Sequence, residues 1–371
     1  MNRIARYFQG WDWWLVGSVL ALVGFGVLAL VSSSVSRGPH ELVTQAAAIG
    51  LGLVFAFVLA STHPASIHRL RYYVIIAAVL MLVAVLVLGR TIKGTRGWFI
   101  VGPASFQPVE FAKLSLIVVL AAILPLHARL KSLRAVISAS VITAIFVGLV
   151  LLQPDLGSAL VLVALWCAML VVSGAPRRYI IMLFVAAVIA GGMAWRFGLH
   201  DYQRERILIF LDPSRDPLGR GYNVTQAQIA VGSGGLLGSG FASGTQSQLR
   251  FLPESQTDFV FSLIVEEFGF LAASALLAAF GVLIWRLWRL ALSAPDDFSQ
   301  FLCAGSAALV SIEAFIAVGG NIGIVPMTGI TLPFVSAGGS SVVAHFALIG
   351  LAIGVSRTAA RSSIAMERGS T

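Results

Sequence analysis

The feature that most restricts this chain is the recurrence of apolar runs of about 18 residues or more. Each is long enough, as a helix, to cross the roughly 30 Å hydrocarbon layer of a bilayer. A water-soluble domain of 371 residues does not combine 58% hydrophobic with only 11% charged residues. Window length places about ten spans, at 11–33, 42–61, 72–89, 110–125, 135–152, 157–173, 179–195, 259–285, 301–317 and 341–355. The first run lacks a small-residue cleavage site, so it is expected to be a retained helix and not a signal peptide. The expected fold class is an all-α polytopic membrane protein, one integral membrane domain over 1–371. A large extracytoplasmic loop, 197–257, separates spans seven and eight, and the polar tail, 356–371, is expected to be disordered after Arg357. Cys167 and Cys303 both lie inside apolar runs and read as small core residues, not as disulfide or metal ligands.

The formal charge of +9 does not point to nucleic acid, because the basic residues sit in short loops between spans. One set of loops carries Arg3 and Arg6, Arg69 and Arg71, Arg129, Lys131 and Arg134, Arg177 and Arg178, Arg286 and Arg289, and the tail. The opposite set is poorer in Lys and Arg, so the positive-inside rule places both termini in the cytoplasm. Even-numbered spans then begin on the outer face. Three of those beginnings carry an acid: Glu110 after Gln107-Pro108, Asp155 after Gln153-Pro154, and Asp258 after Thr257. Unpaired N–H groups at a helix N-terminus accept such anions, so each acid reads either as a cap or as part of a site. Three on one face favour a site.

Basic residues stand near these acids. Lys113 lies three residues after Glu110 and shares its helix face, while Arg96, Arg204 and Arg250, with Glu254, come from the outer loops. Arginine and lysine beside carboxylates suit a phosphate-bearing substrate, with interfacial salt bridges as the plainer alternative. Within the long outer segment, 202–206 has the charge spacing of an interfacial helix, 212–217 is a turn cluster, and 222–231 has helical spacing ended by Gly232, Gly234 and Gly235. This segment is expected to roof a cavity. Glu266, Glu267 and Glu313 fall inside spans, where they fit a proton or ion pathway, with pairing to a basic residue on a neighbouring helix as the alternative for Glu266 or Glu267. The stretch 319–341, rich in Gly, Pro and Ser, reads as a broken or re-entrant element beside the same pocket. No nucleotide fingerprint, zinc spacing or serine-triad signature is present, and no organic cofactor is expected.

Several stretches carry a resemblance: Arg96-Gly-Trp-Phe-Ile-Val-Gly-Pro, Phe106-Gln-Pro-Val-Glu-Phe-Ala-Lys113, Gln153-Pro-Asp-Leu-Gly-Ser158, Phe210-Leu-Asp-Pro213, Leu252-Pro-Glu-Ser-Gln-Thr-Asp-Phe259 and 329–341. In that order the chain resembles the SEDS family of the RodA/FtsW type, and Gly244-Thr-Gln-Ser with Leu249-Arg-Phe-Leu leans to the elongation branch. The resemblance implies a peptidoglycan glycosyltransferase of the bacterial cytoplasmic membrane. Such enzymes polymerise lipid II at its outer face for elongation and rod shape, beside a class B penicillin-binding protein and the elongation or division machinery. It implies Asp258 as the catalytic acid residue, functional roles for Glu110 and Lys113, and Asp155 as the acid of the QPD motif. Arg96, Arg204, Arg250 and Glu254 are expected to bind substrate, with a divalent cation, Mg²⁺ or Mn²⁺, on Glu110 or Asp155. Val109, Gly97, Ala317, Thr331 and Ala337 depart from the family's usual residues. A flippase of polyprenyl-linked precursor is the alternative, and it would lean on Glu266, Glu267 and Glu313.

Overall fold

The computed structural model describes residues 10–92, 94–102, 104–130, 133–193, 196, 201–217 and 219–369. In chain order the helices are α1 Trp13–Arg37, α2 His40–Ser61, α3 Pro64–Leu88, α4 Pro108–Leu130, α5 Leu133–Leu151, α6 Leu156–Val172, α7 Arg177–Met193, α8 Asp201–Leu211, α9 Arg220–Ser233, α10 Val260–Leu292, α11 Asp297–Asn321 and α12 Gly339–Gly369. Eight of them are long and apolar enough to cross a membrane, and α6 is a shorter apolar helix. With α7, they occupy every predicted span.

Boundaries shift where a local cap or a long side chain extends a helix past its apolar window. α3 begins at Pro64, ahead of the predicted 72, because proline suits the first turn and His63 accepts from the Ala65 N–H at 3.2 Å. α10 runs past Arg286 and Arg289 to Leu292, since arginine stems cover apolar surface while their heads reach water. The tail expected to be disordered instead continues α12 through Gly369. Between α3 and α4 the chain forms a small antiparallel sheet in the order β1-β2-β3 (Arg90–Ile92, Thr95–Val101, Ala104–Phe106), which periodicity in the sequence does not reveal.

The centre of the bundle is α4, α11 and α12, with 78%, 67% and 89% of their apolar windows buried, against 17% for α2 and α3. The outward faces of α2 and α3 carry Val54, Phe57, Val58, Leu80 and Val87, exposed as suits hydrocarbon contact. α2 packs tightly on α12, where a Cβ at Gly350 would lie 2.5 Å from the Ala56 carbonyl oxygen; close helix packing without the help of water favours small residues. At the end of α1 and α10 away from the 234–259 loop, Asp12 caps α1 through Leu15 N–H and takes a bidentate ion pair from Arg286 at 2.6–3.1 Å, tying α1 to α10.

α10 is broken near its outer end. Gly269 has φ 77°, and the carbonyl and N–H groups freed there pair with the loop after α9. Ser239 N–H and Gly240 N–H donate to the Glu266 and Glu267 carbonyls, while Phe270 and Leu271 N–H donate to the Gly235 and Leu236 carbonyls, all at 2.9–3.2 Å. A helix break at membrane depth persists only when protein satisfies its backbone in this way.

Candidate active site

Asp258 sits immediately before α10, half-buried, in the wall of a cavity of about 350 Å³. The roof comes from α8 and α9 through Phe210, Asn223 and Gln228, and the far wall from the irregular stretch after α11 through Val325, Met327 and Gly329. Glu254 lines the same space one turn earlier. A Cβ on Gly329 would stand 3.8 Å from Asp258 Oδ2, and one on Gly323 would collide with Gln228 Nε2 at 2.1 Å. Both glycines have φ near +77°, where another residue would be strained; Gly329 turns the backbone past the carboxylate and Gly323 past the Gln228 amide.

Asn321, the last residue of α11, fixes the backbone at this acid. Its Nδ2 donates to the Asp258 and Ala317 carbonyls at 2.8 Å, and its Oδ1 accepts from Ser262 N–H and Oγ–H at 3.1 and 2.7 Å. All four amide valences are used in a buried setting, which locks the turn entering α10. From the other side, Ser336 Oγ donates to the Thr257 carbonyl at 2.6 Å and Ala337 N–H to the Gln256 carbonyl at 2.8 Å. The predicted broken element at 319–341 therefore abuts the acid: α11 ends at Asn321 and α12 starts at Gly339, with Phe334 in the left-handed region between them.

Glu110 and Lys113 belong to a second, deeper cluster. Lys113 Nζ bonds Glu110 Oε1 at 2.8 Å and Glu313 Oε1 at 2.5 Å, and Glu313 Oε2 meets His345 Nε2 at 2.6 Å. The ring's other nitrogen faces the Ser341 carbonyl at 2.7 Å. Four titratable side chains from α4, α11 and α12 thus form one buried chain in the centre of the bundle, with Lys113, Glu313 and His345 each only 1% exposed. An ion so deep is costly unless paired, and here each has its partner. Glu110 Oε2 is buried without a hydrogen-bond partner among the described residues. Glu313 precedes Asn321 by eight residues on α11, a rise of roughly 12 Å, so the cluster lies below the Asp258 cavity and not in its wall.

The remaining predicted residues are spread out. Asp155 caps α6, accepting from Ser158 N–H and Oγ–H at 3.0 and 2.7 Å, and from Gln107 Nε2 at 3.4 Å. Arg96 lies on β2 and donates to the Gly89 and Val87 carbonyls, closing the end of α3. Arg204 lies on α8, a turn or more before the cavity-lining Ile209 and Phe210, and donates to the Arg196 carbonyl at 3.5 Å. Arg250 donates to the Ser36 carbonyl and lines a different pocket, with Arg37. The expected cation site does not fit. Both Asp155 oxygens are engaged, one Glu110 oxygen is taken by Lys113, and among the described residues no group of three or more His, Cys, Asp or Glu side chains gathers to hold a metal.

Glu266 and Glu267 are engaged by loop groups. Glu266 accepts from Gln246 and Ser247 N–H at 2.7 and 3.1 Å, at the start of the helical turn Thr245–Gln248; Glu267 takes Gln248 Nε2 at 2.9 Å, Ser247 Oγ–H, Ala242 N–H and Ser32 Oγ–H. They anchor the outer loop to α10. Asn321 and His345 were not among the sequence candidates. An uncharged amide at a helix end gives no pattern, but a histidine inside an apolar span is a recognisable signal.

Comparison with known proteins defines the class. Residues 13–361 match the FTSW_RODA_SPOVE family profile, described as a cell cycle protein, and the chain belongs to this family. It is 36% identical over 339 residues to the peptidoglycan glycosyltransferase MrdB of Escherichia coli, covering 91% of each chain. It is also 36% identical over 361 residues to a probable peptidoglycan glycosyltransferase FtsW of Thiomicrospira cyclica, covering 93% of this chain and 91% of that one. A solved structure concerned with polymerization and crosslinking by a peptidoglycan synthase complex superposes with a TM-score of 0.82 at 38% identity, over 94% of this chain and 98% of the other. The crystal structure of the rod shape determining protein RodA of Thermus thermophilus superposes with a TM-score of 0.71 at 33% identity, with the same coverages. The protein is a multi-pass membrane protein of this family.

Proposed function

We propose that this protein is a peptidoglycan glycosyltransferase that polymerises lipid II at the outer face of the bacterial cytoplasmic membrane, with both termini cytoplasmic. The observation that carries the reading is the Asp258 carboxylate in the wall of a cavity under the outer loop, its backbone clamped by Asn321. Relatives named as peptidoglycan glycosyltransferases over nine-tenths of the chain supply the reaction class. The similarity to RodA and MrdB favours the elongation role, and the similarity to a complex that coordinates polymerization with crosslinking favours a transpeptidase partner, of the class B penicillin-binding kind.

In this reading Asp258 accepts the proton of the acceptor sugar's 4-hydroxyl as that oxygen bonds to the donor's anomeric carbon. The bond from that carbon to the pyrophosphate oxygen breaks, the polyprenyl pyrophosphate leaves with the electron pair, and the centre inverts. Asn223 and Gln228 offer amides to sugar hydroxyls, and Phe210, Phe259 and Met327 offer apolar surface to ring faces. Glu110, Lys113, Glu313 and His345 support the site from beneath, holding α4, α11 and α12 in register.

General-base assistance is worth about 10² to 10⁴ in rate. Purified Asp258→Ala and Asp258→Asn proteins, folded by chromatographic profile, are expected to lose polymer on a gel assay of lipid II by at least that lower factor. Normal polymerisation by either variant would overturn the assignment. Transport of lipid II across liposomes without polymer would favour the flippase, a reading that loses support because Glu266 and Glu267 are spent on loop backbone.

A further inference from the structure

Beside the Asp258 cavity, on the other side of the strand of chain that bears it, lies an open pocket of about 310 Å³ lined by Arg37, Gly38, His40, Glu41, Arg250 and Gln256. We propose that it is an anion site for the pyrophosphate headgroup of a polyprenyl-linked substrate. The proposal rests on the glycosyltransferase reading for the identity of that substrate, and on the following geometry for the site itself.

Two guanidinium groups are fixed here by neutral acceptors. Arg37 Nη1 and Nη2 donate to the Pro253 and Leu252 carbonyls at 2.5 and 2.6 Å, and Arg250 Nη2 donates back to the Ser36 carbonyl. Neither arginine has a carboxylate within ion-pair distance among the described residues, and the one acid in the lining, Glu41, faces His40 at 3.8 Å. Arg37 Nε is shut off from solvent without an acceptor. Arg250 is a non-glycine residue with φ 63°, a conformation that persists only where its surroundings enforce it. Two like charges pinned side by side, with donors to spare, form a fork suited to phosphate oxygens.

Charge and placement select the ligand. Among the described residues the Asp258 cavity is lined by two carboxylates and no cation, which suits sugar hydroxyls and repels pyrophosphate. Along 254–258 the side chains divide: Glu254 and Asp258 line that cavity, whereas Gln256 between them lines the arginine pocket. Two residues of chain span at most about 7 Å, so the two compartments adjoin. Val35 of α1 and Val43 of α2, each two residues along the chain from a lining residue, are 68% and 64% exposed and offer apolar surface to a polyprenyl tail.

The test is equilibrium binding to the full-length protein in nanodiscs, using a long-chain polyprenyl pyrophosphate, inorganic pyrophosphate and the uncharged polyprenol. The polyprenyl pyrophosphate is expected to bind at least about tenfold tighter than either other probe, and Arg37→Gln and Arg250→Gln are each expected to weaken it about tenfold or more. Arg250→Gln removes one bond to a carbonyl, so it keeps the measurement meaningful if Arg37→Gln loosens the loop; thermal unfolding monitors both. Asp258→Asn is expected to leave this binding within about twofold. Unchanged binding in Arg250→Gln, equal binding of inorganic pyrophosphate, or loss of binding in Asp258→Asn would each overturn the proposal. Because the readout is binding, polymerisation by an Asp258 variant would sink the catalytic reading without touching this result.

Discussion

Replacing Glu313 by alanine is the sharpest probe of the buried cluster. The substitution leaves Lys113 with Glu110 alone and removes the carboxylate that His345 Nε2 meets, in surroundings where Lys113 and His345 are each 1% exposed. Removing one partner of a buried ion pair costs about 3–5 kcal/mol. The surviving Glu110 contact at 2.8 Å retains part of that, so about 3 kcal/mol is expected for Glu313→Ala. Glu313→Gln keeps the shape and one acceptor and loses the charge, so about half that cost is expected, in the range of a hydrogen bond to a charged group. For a chain of this length, 3 kcal/mol corresponds to a fall of about 5 °C in the unfolding midpoint. The assay is thermal unfolding in detergent at one fixed scan rate, since heating a membrane protein reports kinetic stability. Combining Glu313→Ala with Lys113→Met is expected to cost about 2 kcal/mol less than the sum of the two single substitutions, a coupling that a double-substitution cycle isolates. Equal stability of Glu313→Ala and wild type, or strict additivity of the two substitutions, would refute an energetic link between Glu313 and Lys113.

Three other outcomes follow from the geometry around it. Asn321→Ala is expected to lower kcat about tenfold or more with little change in KM for lipid II, because the amide touches the Asp258 backbone and not the cavity; an equal fall in both would argue for a direct contact with substrate. Glu267→Ala is expected to release the 241–248 loop, read as faster limited proteolysis there while the bundle stays intact, since four side-chain and backbone groups lose one shared acceptor. Gly269→Ala is expected to destabilise the protein measurably, because its Cβ would lie 2.4 Å from Gly238 N and its φ is left-handed.

How much of this is legible in the sequence depends on the range of the interaction. The spans are readable because each is defined by its own apolar residues, and the caps at Asp155 and Pro108 are readable because their partners lie within one turn. The Glu110–Lys113 pair is readable for the same reason, whereas Glu313 is 200 residues from Lys113 and nothing local announces it. Glu266 and Glu267 mislead for a physical reason: an acid in an apolar span signals a buried function, but here the function is to accept N–H groups from a loop some twenty residues earlier. The β1–β3 sheet is missed because its strands are short and their pairing is set by the ends of α3 and α4. The spread of Arg96, Arg204 and Arg250 over separate surfaces cannot be read from loop composition, since charge alone does not say which carbonyl a guanidinium finds.

The break at Gly269 has a mechanical consequence. The short piece of α10 before Gly269 joins the longer piece by a single pivot, and the 235–240 chain splints the break with two backbone bonds to each side, while two carboxylates of the short piece hold the 242–248 chain. Asp258 sits at the start of that short piece, beside α11, whose Asn321 holds its carbonyl. A displacement of the 235–248 chain would load both pieces of α10 at once, so the loop and the acid can shift only if this joint gives.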